Sequence, residues 1–209
     1  MGVGMNYQKE LEQLIDTLKL QQKRPRLLIH SCCAPCSSYC LEYLSEYFDI
    51  TVFYYNPNIY PPKEYDRRLE EQKRFIDEIP FPARVQLIAG EYHPEEYYTL
   101  VKGLEEEPEG KARCFVCYEL RLKAAAQLAA IQGFDYFTTT LSISPHKNAE
   151  KLNEIGERLS REYGVSFLPS DFKKRNGYKR SIELSREYNL YRQDYCGCIF
   201  SMKRPEDTL

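Results

Sequence analysis

The sequence predicts an α/β fold, a mostly parallel sheet with helices on both faces. Three observations predict it. Short apolar, β-rich runs alternate with amphipathic helical stretches at the spacing of βαβ units. The segments richest in chemistry follow directly on such runs: HSCCAPC follows the first and TTTLSISPHK the fourth, which would open both onto one sheet edge. The chain has 209 residues, 43% hydrophobic and 29% charged, the size and balance of one ordered globular domain.

Residues 7–20 carry Leu11, Leu14, Ile15 and Leu18 on one helical face. Arg26–His30 (RLLIH), just after Pro25, reads as a buried strand. A helix is expected over Ser38–Glu46. DITVFYY, residues 49–55, reads as the second strand, ended by the Asn- and Pro-rich loop NPNIYPP. Lys63–Ile79 reads as a long helix with Tyr65, Leu69, Phe75, Ile76 and Ile79 apolar. Arg84–Ala89 is the third strand and Pro94–Lys102 a short helix. LEEEPEGKAR reads as a solvated loop. From Cys117 to Ile131 alanine-rich sequence favours a helix, which Gly133 stops. A fourth strand over 135–142, a helix over Asn148–Tyr163, a fifth strand over Val165–Leu168 and a helix over Ser181–Asn189 complete the pattern. The expected organisation is a single domain: an N-terminal helical extension (1–24), an α/β core (25–170), and a basic, CGC-bearing C-terminal segment (171–209).

Composition narrows the function classes. No apolar run approaches the roughly 18 residues of a membrane-spanning helix. The N-terminus lacks a basic stretch followed by an apolar one, so a cytoplasmic protein is expected, with no membrane partner. A net charge of −2 argues against holding nucleic acid by bulk charge alone, and leaves room for a local basic patch.

The eight cysteines are unusual for a chain with no export signal. Reducing compartments disfavour structural disulfides, so metal binding or redox chemistry is the better reading. They fall into three motifs: Cys32, Cys33, Cys36 and Cys40 in HSCCAPCSSYC, Cys114 and Cys117 in CFVC, and Cys196 and Cys198 in CGC. CFVC would make a good zinc knuckle, but adjacent cysteines project in different directions, which suits HSCCAPC poorly to zinc. An iron–sulfur cube is larger and accepts a CC pair and a CxxC pair from two loops. This favours a [4Fe–4S] cluster on Cys32, Cys33, Cys114 and Cys117. Cys36 is a candidate to replace one of these or to hold a second metal beside the cluster. Two thiols flanking one glycine close only a small, strained ring, the labile kind of disulfide, so Cys196 and Cys198 read as a redox-active pair. Cys40 reads as a small buried residue.

The ordered set HSCCAPC, FYYNPNIYPPKEYDRR, RCFVCYELRL, TTTLSISPHKN and YCGC resembles the cobalamin-independent epoxyqueuosine reductase family, over about residues 27–200. The resemblance implies the last step of queuosine synthesis, reduction of epoxyqueuosine to queuosine at the wobble position of tRNA. It implies a [4Fe–4S] cluster on Cys32, Cys33, Cys114 and Cys117, the redox-active pair Cys196 and Cys198, an additional mononuclear iron near Cys36, and no cobalamin. The tRNAs would be those with GUN anticodons, for Asp, Asn, His and Tyr. The fold analogy is to nucleotide-hydrolase-like, Rossmann-like (HUP) layers with an added C-terminal helical segment. No Ser-Gly-Gly pyrophosphatase loop is present, so no ATP use is expected.

Other residues complete the expectation. His30 reads as a satisfied buried histidine, and His146 as a candidate at the ligand edge. Asn56 and Asn58 are candidates to read the base or sugar. Lys173, Lys174 and Arg175, with Lys179 and Arg180 and the aromatics Phe172 and Tyr178, form the candidate tRNA patch. The charged run Asp66, Arg67 and Arg68 reads as a solvated helix face, and Tyr118 and Arg121 as candidates to orient the CFVC knuckle. Two other classes compete: an iron–sulfur or dithiol electron carrier, and a zinc-stabilised nucleic-acid-binding module. The electron donor is not legible in the sequence.

Overall fold

A computed structural model of the chain describes residues 6–202. The outermost parts of the expected terminal segments, 1–5 and 203–209, lie outside the described residues. The elements run α1 (Tyr7–Leu20), β1 (Arg26–His30), α2 (Ala34–Leu44), β2 (Asp49–Tyr54), α3 (Pro62–Glu78), β3 (Gln86–Ala89), α4 (Pro94–Leu100), α5 (Ala112–Ile131), β4 (Tyr136–Thr139), α6 (Ala149–Tyr163), β5 (Ser166–Phe167) and α7 (Gly177–Glu187). Two short 3₁₀ turns lie at Thr140–Ile143 and Ile199–Ser201.

The five strands form one sheet in the order β3-β2-β1-β4-β5, every pair parallel. Both faces are covered, and the alternation along β1 records it. Leu27 and Ile29 join the apolar cluster with Leu11 and Ile15 of α1, Leu41 of α2 and Phe75 of α3. Leu28 joins the opposite cluster with Leu122 and Ala126 of α5 and Leu152 and Ile155 of α6. A period of two thus explains the unbroken apolar run. No helix among the described residues is long and apolar enough to cross a membrane.

The element boundaries differ from expectation where the site is built. The second helix begins at Ala34, not Ser38, because Pro35 sits in its first turn, where a missing N–H costs nothing. Cys36 is therefore helical. α5 begins at Ala112 and not at Cys117, so Cys114 joins Cys117 on its first turns, three residues apart. β4 stops at Thr139, whose hydroxyl accepts from Leu141 N at 3.2 Å and turns the chain into a 3₁₀ turn. α7 begins at Gly177, where a Cβ would lie 2.1 Å from the Phe172 carbonyl and 2.4 Å from Tyr39 of α2. Only glycine permits that approach of α7 to α2.

Candidate active site

In an open parallel sheet, ligands bind beyond the carboxyl ends of the strands, where the strand order reverses. Here β2 and β3 lie to one side of β1, and β4 and β5 to the other. The loops leaving β1 and β4 therefore flank the crevice. Ser31, Cys32 and Cys33 carry the chain from β1 into α2. Asn56 Nδ2 donates to the Ser31 carbonyl at 2.9 Å. The hydroxyls of Ser31 and Ser37 both donate to Gln72 Oε1 of α3, at 2.8 and 2.9 Å. This buried network fixes the turn that presents the thiols.

The Sγ atoms of Cys32, Cys33 and Cys36 all lie within 4.8 Å of one another, and those of Cys32 and Cys33 are 3.8 Å apart. The expectation that adjacent cysteines diverge is thus corrected. Cys33 is the extended residue before α2 (φ −174°, ψ 158°), and the first helical turn brings Cys36 round to the pair. A spacing of 3.8 Å matches one edge of a tetrahedron of thiolates about 2.3 Å from a single metal. Cys114 and Cys117 stand outside this trio. They line a neighbouring narrow pocket with Cys196 and Cys198. No disulfide joins any of the eight cysteines in this structure. Cys40 is fully buried, as expected.

The two thiol groups meet at Arg121. Its side chain lines both the narrow pocket and the larger one that holds Cys32 and Cys36. It is 1% exposed, and its Nε donates to the Cys117 carbonyl at 3.0 Å. Among the described residues no carboxylate lies within ion-pair distance of it. The groups that act electrostatically on it are the sulfurs of Cys117, Cys196 and Cys32 and the Tyr118 hydroxyl. A buried guanidinium stays charged and is costly without a counter-charge. Sulfur from three segments is what this position faces.

The thiols differ among themselves. Hydrogen bonds from Cys32, then Cys36, hold Cys33 well below the usual thiol range, and Arg68 and Gln193 add to the effect. Its Sγ accepts from Gln193 Nε2 at 3.0 Å. The same hydrogen bonding to Cys33 pushes Cys32 up to about 11, and hydrogen bonds with Cys32 and then Cys33 raise Cys36 well above the usual value. Burial pushes Cys117 up to about 12 and raises Cys114. Burial, aided by Arg121, also holds His30 down to about 4. Its ring nitrogens are 3.0 Å from Thr139 Oγ1 and the Tyr55 carbonyl. His30 is neutral and satisfied, as read from sequence.

The CGC loop is tied down from α3. Arg68 Nη1 donates to the Cys196 carbonyl at 3.2 Å, and Tyr60 N donates to the Gly197 carbonyl at 2.8 Å. Arg68 is 1% exposed and paired with Glu64 at 2.7 Å, which corrects its reading as part of a solvated face. Gly197 has φ +113°, and a Cβ there would lie 2.9 Å from Arg68 Nη1 and 3.1 Å from Ile59. Gly197→Ala is expected to cost about 1–3 kcal/mol and to displace the loop. A thermal melt together with peptide-level hydrogen exchange over 190–200 checks this. An unchanged exchange pattern would mean that the loop accepts the side chain.

Beside the thiols opens a cavity of about 490 Å³, within the range of small-molecule sites. Cys32, Cys36 and Cys196 lie on its wall, and His146, Tyr178 and Tyr195 also line it. His146 and Tyr178 are exposed. Asn56 and Asn58 are buried, at 0% and 1% exposure. The expectation that they read a base from solution does not suit that burial, and Asn56 serves the cysteine turn instead. The basic patch also divides. Phe172 is fully buried and is no stacking platform. Lys173 turns inward to Asp171 and the Ser142 carbonyl. Arg175 pairs with Glu12 of α1 and Arg180 with Glu42 of α2. Lys174 and Lys179 are exposed, with no ion pair found among the described residues.

With this geometry in hand, comparison with known proteins is decisive. Residues 27–204 match the family model described as epoxyqueuosine reductase QueH. The chain belongs to the epoxyqueuosine reductase QueH family. It is 47% identical over 203 residues to the epoxyqueuosine reductase QueH of Streptococcus pyogenes serotype M1, covering 95% of this chain and 79% of that protein. It is 46% identical over 201 residues to that of Staphylococcus epidermidis (94% and 84%), and 38% identical over 182 residues to that of Thermotoga maritima (84% and 90%). Membership of the QueH family makes the chain an oxidoreductase enzyme. The motifs that carried the resemblance are those that converge at the sheet edge.

Sequence reasoning missed three members of this QueH site. Lys147, Glu109 and Gln193 are polar residues in loops, where solvation is the ordinary reading. Lys147 is nevertheless 8% exposed. Its position directly after His146 in SPHK, at the predicted ligand edge, was the available signal.

Proposed function

We propose that this chain reduces epoxyqueuosine to queuosine in tRNA, without cobalamin, and that the cysteine-lined crevice is where it does so. The observation that carries the reading is Arg121: a buried guanidinium with no carboxylate partner among the described residues, faced by sulfurs from the β1–α2 turn, α5 and the C-terminal segment. That arrangement calls for anionic, metal-bound thiolates. A single ion is served by the trio Cys32, Cys33 and Cys36. Drawing Cys114 and Cys117 into one centre with Cys32 and Cys33 calls for a larger body, and a [4Fe–4S] cluster meets that need. On this reading Cys36 is left beside the cluster, able to hold an additional mononuclear iron. When bound, the cluster supplies single-electron transfer and a Lewis-acidic iron.

The chain's own residues do the rest. The reaction takes up two electrons and two protons, breaks both epoxide C–O bonds, forms the alkene and releases water. Closing a disulfide between Cys196 and Cys198 releases two electrons and two protons, which balances that demand. An external reductant reopens the pair. The cavity beside Cys196 takes the modified base, with Tyr178 and His146 at its rim, and Lys174 and Lys179 are left to meet phosphates. The substrates are the tRNAs with GUN anticodons, for Asp, Asn, His and Tyr, and the working compartment is the cytoplasm. No observation favours a carrier or a zinc-stabilised binding module over this reading.

The test is an anaerobic assay of the metal-loaded protein with epoxyqueuosine-containing tRNA, dithionite and no cobalamin. Queuosine is the expected product, measured by nucleoside mass spectrometry. Unchanged epoxyqueuosine with fully loaded protein would overturn the proposal.

A further inference from the structure

Lys147 closes the loop after β4, and its ammonium reaches into the wall between the two thiol pockets. Two contacts hold it: Cys196 Sγ at 2.8 Å and Glu109 Oε1 at 3.2 Å. The sulfur is the nearer, and the carboxylate belongs to a side chain that is 43% exposed. An ammonium has three protons to give and no capacity to accept, so this contact is a donation to sulfur. Such a bond strengthens as negative charge develops on the acceptor. Cys198 is placed differently. It packs in an apolar cluster with Tyr97, Val101 and Cys117, and it does not line the larger cavity. The two sulfurs of the CGC motif therefore face different surroundings: one the cavity and a cation, the other an apolar wall.

We propose that Lys147 is the positioning residue of the CGC pair: its ammonium fixes Cys196 Sγ at the cavity wall and makes Cys196 the member that reacts with what enters, leaving Cys198 as the partner behind it. This rests on reading Cys196 and Cys198 as the redox pair. The other charged or ionisable groups around the contact do not duplicate the role. From α5, Cys114, Cys117, Tyr118 and Arg121 interact with it electrostatically. Of these, Arg121 acts on Cys196 only through its charge: its Nε donates to the Cys117 carbonyl, and among the described residues no hydrogen bond joins it to the Cys196 sulfur. From α3, Arg68 reaches the Cys196 backbone carbonyl and not its sulfur. Lys173 Nζ, at 3.5 Å, lies against the Lys147 carbonyl. Burial opposes the charge on Lys147, while Cys196, Tyr118 and Glu109 together outweigh it and keep the group protonated. Lys147 is therefore a fixed charge, not a proton donor to substrate.

The experiment is thiol mapping on the full-length, metal-loaded, reduced protein. Iodoacetamide forms an S–C bond, iodide leaves and the thiol proton passes to buffer. Peptide mass spectrometry reads Cys196 and Cys198 separately. The wild type is expected to label at Cys196 first. Lys147→Met is expected to slow Cys196 labelling about tenfold, the loss of one charge-assisted hydrogen bond, and to leave Cys198 unchanged. Lys147→Arg restores the preference, and Glu109→Gln keeps it, because neither removes the cation from the sulfur. Equal labelling of both cysteines in the wild type, or an unchanged Cys196 rate in a folded Lys147→Met protein, overturns the inference. Failure of the underlying redox reading would look different. After a single turnover the protein would show no Cys196–Cys198 disulfide, whatever the labelling order.

Discussion

Replacing Arg121 with Met is expected to strip the protein of its metal. Breaking a buried charge pair by removing one partner costs about 3–5 kcal/mol. At about 1.4 kcal/mol per factor of ten, affinity for an anionic thiolate-bound centre then falls more than a hundredfold. Iron content after anaerobic purification measures this directly. The metal-free protein is expected to respond in the opposite sense. Without metal, burial raises Cys117 to about 12 and Cys32 also stands high, so protonated thiols leave the guanidinium poorly compensated. Removing it then raises the melting temperature of the stripped protein while lowering that of the loaded one. Arg121→Lys keeps the charge and is expected to retain more iron than Met. Full iron loading in Arg121→Met would remove the observation on which the functional proposal stands.

Cys198→Ser is expected to reduce multiple turnover to background while the visible spectrum of the loaded protein stays intact. Cys198 packs against Cys117 but is not itself one of the proposed cluster ligands, so its loss removes the disulfide and leaves those four ligands in place. Cys32→Ser has the complementary signature: the spectrum is lost along with activity, because Cys32 belongs to the clustered trio. Parallel anaerobic assays and absorbance spectra of the two variants separate the roles. Normal turnover by Cys198→Ser would refute the redox pair.

The alternation of apolar runs carried the sheet, because strands buried on both faces leave unbroken runs such as Leu27–Ile29. It also carried the sheet edge where the cysteines gather. Boundaries were less legible. α2 and α5 begin, at Ala34 and Ala112, earlier than apolar periodicity alone indicates, and those few residues move Cys36 and Cys114 from loops onto helices. Side-chain direction was illegible where the backbone turns. Cys32 and Cys33 converge only because Cys33 is extended at the mouth of α2. Burial of isolated charges was the hardest feature to read. Arg68, Arg121 and Lys147 resemble surface residues in sequence, and only the packing of distant segments encloses them. Phe172 and Asn56 failed in the other direction, since a loop composition hid core positions.

The central claim is that thiols from β1–α2 and α5 share one iron–sulfur centre. The most direct test is a Mössbauer spectrum of the anaerobically purified protein, with iron and sulfide quantified on the same sample. The account predicts the quadrupole doublet of a [4Fe–4S] cluster, lost in both Cys32→Ser and Cys114→Ser. A protein that holds a single zinc ion and no sulfide, or one whose cluster survives Cys114→Ser unchanged, would contradict it.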